Sequence, residues 1–181
     1  MSTPGDRDDP ARSIEPKDLL FIDVEASSLE RGSWPIELGL ARILPGGRVV
    51  SEARLIRPAP RWREEFWHAE SAAVHCIARG ALDAAPPAAE VAGWALRELA
   101  HRVAVSDAPE FDIRWLRKLL RTVEPDPAAQ LHDFDHVVAR TFDFTGVARV
   151  YRALADLPAP HRAGPDAERL ARAFRAGLPR G

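Results

Sequence analysis

Residues 19–30 read LLFIDVEASSLE. Four large apolar residues, Leu19 to Ile22, run directly into Asp23 and Glu25, which stand one residue apart. A short, continuous apolar run that begins after Pro16 reads as a strand over Lys17–Ala26, buried on both faces for most of its length. Side chains alternate along a strand, so Asp23 and Glu25 point to the same side of the sheet. Two like charges at the end of a buried strand repel each other and lose hydration. Solvated acids at a strand that ends on the surface would account for the pair taken alone. A cation held between them would account for it too.

The rest of the chain frames that strand. With 181 residues, 46% hydrophobic and 29% charged, the composition is that of a globular protein with length for one domain and a real core. Residues 1–16 are polar, Pro-containing and partly acidic, and read as a flexible tail before a single domain over residues 17–178. No apolar run approaches the length of a membrane span, so no membrane partner is expected. A single cysteine, Cys76, permits no internal disulfide and fits a cytoplasmic protein. It shows no nucleophile signature and reads as a small buried residue. A net charge of −2 gives no broad basic field for gripping long duplex nucleic acid, but leaves room for binding a short end. The sequence allows a homodimer as well as a monomer.

Pro35–Pro45 reads as a second strand, Gly46-Gly47 as a turn, and the segment from Arg48 to Pro58 as a third strand, giving an antiparallel meander. Residues 61–75 read as loop or short helix. A helix follows over Ala89–Ala100, a short strand over Arg102–Ala108, a strongly periodic helix from Glu110 and a last helix opened by Gly164-Pro165. The segment QLHDFDHVVARTF is ambiguous. Strands first, then alternating helix and strand, argue for an α/β fold with a mixed sheet.

The helices repeat what the first strand does. At 100° per residue, Trp115, Leu116, Leu119, Leu120 and Val123 cluster around the direction of Asp112, which places that acid within the apolar stripe. An acid in a first turn suits the helix dipole, but would do so more comfortably facing water. Asp166 likewise shares a face with Leu170, Ala173 and Gly177, while Arg169 and Arg172 fall elsewhere. Carboxylates from a strand and two helices aimed at the core side, with few basic partners, are what hard cations such as Mg²⁺ or Mn²⁺ require. His161 stands five residues before Asp166, and imidazole being the side chain best suited to proton transfer near neutral pH, it is a candidate general base beside such a site. His132 and His136 would share a helical face, a spacing zinc sites use, but no third ligand accompanies them.

In order and spacing these residues resemble the DEDDh, or DnaQ-like, 3′–5′ exonucleases of the RNase H-like superfamily. The resemblance rests on FIDVEASSLE with Asp23 and Glu25, VAVSDAPEFDIRWL with Asp112, and HRAGPD with His161 and Asp166. PIELG and AVHCIARGAL resemble the family's second-strand motif and the segment after its third strand. Two departures bear on substrate choice: Ala26-Ser27-Ser28-Leu29 stands where Thr-Thr-Gly is frequent, and Ser106-Asp107-Ala108 where His-Asn-Ala is frequent. Asp107 is a rival to Asp112, which fits the family's pattern with Phe111 and Trp115-Leu116 better.

The resemblance implies an RNase H-like mixed five-stranded sheet flanked by helices, and a metal-dependent 3′–5′ exonuclease. It implies two divalent cations, Mg²⁺ or Mn²⁺, about 4 Å apart, held by Asp23, Glu25, Asp112 and Asp166. His161 would be the general base, and the products nucleoside 5′-monophosphates from single-stranded 3′ ends or short oligonucleotides. Val24, Ala26, Ser27, Ser28 and Leu29 would line the terminal-nucleotide pocket. Arg162 is either a phosphate partner or a surface arginine, and Trp34 either stacks on a base or packs in the core. Trp62, Phe66 and Trp67 carry the same two readings. A catalytically weak nucleic-acid-binding or regulatory module on the same fold is the alternative.

Overall fold

The computed structural model describes residues 15–179. The expected tail lies outside the described residues up to residue 14, and a 3₁₀ turn at Pro16–Asp18 leads into the first strand. Strands β1 (Leu19–Ala26), β2 (Pro35–Ile43) and β3 (Val49–Leu55) form the expected antiparallel meander. Gly46 and Gly47, both at positive φ, close the β2–β3 turn at no steric cost. Strand β4 (Val103–Ser106) lies parallel to β1 on its other side, and β5 (His132–Asp133) lies parallel to β4. The order β3-β2-β1-β4-β5 makes a mixed five-stranded sheet flanked by helices, the RNase H-like α/β fold.

Alternation along β1 splits its apolar run between two cores. Leu20, Ile22 and Val24 face one layer, with Trp94 of α2 (Ala88–Leu99) and Trp115, Leu116 and Leu119 of α3 (Pro109–Leu120). Leu19 and Phe21 face the other, with Phe134 of α4 (Phe134–Thr141), Val150 of α5 (Phe144–Asp156) and Phe174 of α6 (Ala163–Gly177). The Phe21 ring lies 5.5 Å from that of Phe174 and 6.3 Å from that of Phe134, centroid to centroid. Each such fully buried side chain contributes about 1.5–3 kcal/mol, so Leu19–Ile22 anchor β1 in both cores.

Elsewhere the structure refines the sequence reading or departs from it. Residues 61–75 hold a 3₁₀ turn at Glu64–Phe66 and a short helix α1 (Ala69–His75). The ambiguous segment resolves into the two-residue β5 followed by α4. His132 therefore sits on a strand and His136 on a helix, and the shared helical face that a zinc pair needs does not form. Helix α5 has no counterpart in the sequence reading; Asp143 starts it by accepting a hydrogen bond from the Gly146 N–H. Val123 is exposed, because α3 ends at Leu120. Among the described residues no helix is long and apolar enough to cross a membrane.

Candidate active site

Asp23 and Glu25 stand half-buried on the same side of β1, as alternation requires. Helix α6 reaches them because β2 offers a glycine. Gly39 pairs with Asp23 in register, and a Cβ there would lie 1.9 Å from the Ala163 carbonyl oxygen. Only a bare Cα lets the start of α6 descend onto the sheet. Asp166, in the first turn of α6, thereby meets the end of β1. One carboxylate oxygen each from Asp23, Glu25 and Asp166 lies within 4.8 Å of the other two.

Asp112 approaches from the opposite layer. It is 3% exposed, in the first turn of α3, and accepts hydrogen bonds from the Ser106 hydroxyl and the Val24 backbone N–H. These tie it to β4 and β1, beside Asp23 but outside the three-carboxylate group. Asp107, its rival, lines the same cleft from an exposed position.

Burial and mutual repulsion dominate the electrostatics of these acids. Burial, then the charges of Asp112, Glu25 and Asp166, hold the Asp23 carboxyl well above the usual carboxylate range. Burial, then Asp166 and Glu37, push Glu25 up to about 7 against the opposing pull of Arg162. Burial pushes Asp112 up to about 7 despite its hydrogen bonds. Among the described residues, no ion pair includes any of Asp23, Glu25, Asp112 or Asp166. Asp23, Glu25 and Asp166 are all-oxygen donors of the hard kind that Mg²⁺ and Mn²⁺ take, and a divalent cation would relieve the repulsion among them.

The acids line a cleft of about 490 Å³. Val24, Ala26, Ser28 and Leu29 line it, and the exposed apolar side chains of Leu29, Val74 and Phe111 stand at its border. Ser27 does not line it; its hydroxyl faces inward and accepts from the Trp34 N–H at 3.0 Å. Trp34 is fully buried, its ring 6.1 Å from that of Trp62 and 5.8 Å from that of Trp67, with Nε1 donating to the Arg63 carbonyl. It packs the core and offers no face to a base, and Trp62 belongs to the same buried cluster.

His161 lines the cleft in the left-handed region, with φ of 53°. For a residue with a Cβ this conformation costs on the order of 1–3 kcal/mol, and its neighbours must hold it there. Arg162 is half-exposed beside the acids and is engaged with Glu37. Its guanidinium makes a two-pronged ion pair with Glu37, Nε to Oε2 at 2.9 Å and Nη2 to Oε1 at 2.6 Å. Arg169, which the helical period placed away from the acids, reaches the cleft and donates to the Leu154 and Leu157 carbonyls. Sequence reasoning missed Glu37, although a lone acid between Ile36 and Leu38 of a buried strand is a signal that a partner exists. It also missed His75, buried in the cleft wall, whose Nδ1 accepts from the Ile77 N–H. Cys76, expected to be buried, is exposed at the left-handed C-cap of α1, where the helix has already ended.

No protein-family model and no curated protein sequence matches the chain. Solved structures do match its fold. E. coli exonuclease I in complex with a 5cy-dA13 oligonucleotide superposes with a TM-score of 0.61 at 16% identity, over 87% of this chain and 39% of that one. The zinc-bound form of the E. coli exonuclease I–ssDNA complex gives 0.60 at 17% identity, over 86% and 39%. A full-length 3′-exonuclease gives 0.65 at 15% identity, over 93% of this chain and 62% of its own. The chain thus spans about two fifths of exonuclease I and under two thirds of the other enzyme. With the sheet order and the meeting of the acids described above, these likenesses establish that the chain is built on the RNase H-like fold of the 3′-exonucleases.

Proposed function

We propose that the chain is a metal-dependent 3′–5′ exonuclease acting on single-stranded 3′ ends or short oligonucleotides. One observation carries the reading: three carboxylates from β1 and α6 converge within 4.8 Å, beside a fourth buried acid, in a cleft open to substrate. Asp23, Glu25 and Asp166 would hold one divalent cation, with Asp112 and Asp23 serving a second. Mg²⁺ or Mn²⁺, when bound, supplies the positive charge that a scissile phosphate and an acidified water need. The chain's own groups do the rest. His161 takes the proton of the water that attacks phosphorus. The bond from phosphorus to the 3′ oxygen of the penultimate nucleotide breaks, and that oxygen is protonated by solvent. The terminal nucleotide leaves as a 5′-monophosphate. Leu29, Val74 and Phe111 offer the apolar contact a base needs without reading its identity. A cleft of about 490 Å³ falls in the range of small-ligand pockets, which suits a strand end rather than a duplex.

Digestion of 5′-labelled single-stranded DNA and RNA, with Mn²⁺ or EDTA, tests this beside the Asp23→Ala variant. A ladder that shortens from the 3′ end, depends on metal and is absent in the variant is expected. Binding of the oligonucleotide without any shortening would identify a nucleic-acid-binding module instead.

A further inference from the structure

Glu37 is the one acid of β2 and is 3% exposed. Both its oxygens are occupied by a single stretch of chain. Oε1 accepts from Arg162 Nη2 at 2.6 Å; Oε2 accepts from Arg162 Nε and from the Ala163 backbone N–H, each at 2.9 Å. A buried ion pair is weak evidence for stability, because desolvation of both charges offsets their attraction. What such a pair does supply is fixed geometry, and a bidentate arginine supplies more of it than any other side chain.

The stretch it fixes is the one that carries His161. Among the described residues His161 makes no side-chain hydrogen bond, yet it occupies a costly left-handed conformation. Its chain is restrained immediately afterwards: the Arg162 N–H donates to Asp166 Oδ2 at 2.9 Å, and the Arg162 side chain and Ala163 N–H go to Glu37. Glu37 also stands opposite Glu25 in the β1–β2 register, so the anchor rests on the strand next to the acid cluster. We propose that Glu37 is the positioning residue of the cleft, clamping Arg162 and Ala163 so that the turn at His161 holds its imidazole over the acids. Arg162 is then a strut, and its charge is spent on Glu37 rather than on substrate. This rests on the exonuclease reading for its kinetic consequence but not for its structural one.

Glu37→Gln removes the buried charge while keeping one acceptor oxygen, and leaves a half-exposed arginine free to find water. Kinetics at saturating Mn²⁺ should show kcat lowered about tenfold to a hundredfold, the usual effect of a misplaced catalytic group, with KM within about threefold. Arg162→Lys, which keeps the charge but cannot span both oxygens, should give the same split. The Glu37→Gln/Arg162→Gln pair should be no slower than its slower single, since the two act as one unit. Amide hydrogen exchange supplies the readout that needs no activity: residues 162–166 should exchange at least about tenfold faster in Glu37→Gln, with β1 unchanged. A wild-type kcat in Glu37→Gln, losses that multiply in the pair, or unchanged exchange would each overturn the proposal. If the wild-type protein shows no metal-dependent cleavage, the exonuclease reading fails, and hydrogen exchange alone decides whether Glu37 clamps the turn.

Discussion

The buried carboxyls of Asp23, Glu25 and Asp112 resist ionisation, and their burial and repulsion are a liability to the folded chain. Glu25 and Asp112, raised to about 7, titrate near 4 in an unfolded chain, so between those values the folded protein binds more protons than the unfolded one. Their contribution to stability is therefore full below about pH 4 and is lost as the pH rises through about 7. Urea melts in EDTA should show a lower midpoint at pH 8 than at pH 5, and Mn²⁺ should recover more stability at pH 8. Asp23→Asn should raise the EDTA midpoint at pH 8, by about 2–4 °C in a thermal melt for each kcal/mol of repulsion removed, while ending turnover. Trp34 offers a second test at this scale. As a fully buried core side chain its truncation to Ala should cost about 3–5 kcal/mol in a denaturant melt. A variant of normal stability with a raised KM would instead mark Trp34 as a base platform.

Among the elements, those read well from sequence are the ones whose side chains alternate or repeat against a deep core. Strand β1 and helix α3 belong here: Leu19–Ile22 are all fully buried, and Asp112 shares its face with Trp115, Leu116 and Leu119. The acids were legible because each breaks such a pattern at a defined phase. Helix α5 escaped because only Gly146 and Val150 of its residues are fully buried, so its apolar stripe is thin. Strand β5 is two exposed residues held by backbone pairing to β4, which leaves no side-chain signal. Glu37 escaped because its partner lies 125 residues away, and nothing local names it. The same long reach governs the β2–α6 contact. Gly39→Ala would force a methyl into the Ala163 backbone, and overpacking of this kind costs about 1–3 kcal/mol or more. Because the displaced element carries Asp166, the variant should also lose its Mn²⁺-dependent thermal shift, a loss that a general destabilisation would not produce.

At the scale of the whole molecule, charge is spent internally. The net charge is −2, and the arginines around the cleft are already engaged: Arg162 with Glu37, Arg169 with two carbonyls of the α5 end, Arg114 with the Leu29 carbonyl. Under the proposed function, a strand would meet the protein at its last one or two phosphates. Plots of log kcat/KM against log salt should then have a slope of about −0.7 to −1.4, at about −0.7 for each phosphate of a single strand. A slope steeper than about −3 would reveal a basic track along the strand. The cleft also has an order of assembly. Its converging acids come from strand β1 and from helix α6, which is seated over Gly39. During synthesis the first acids emerge from the ribosome long before Asp166 does. Carboxylates divided in this way cannot converge until α6 has been made and has docked on the sheet.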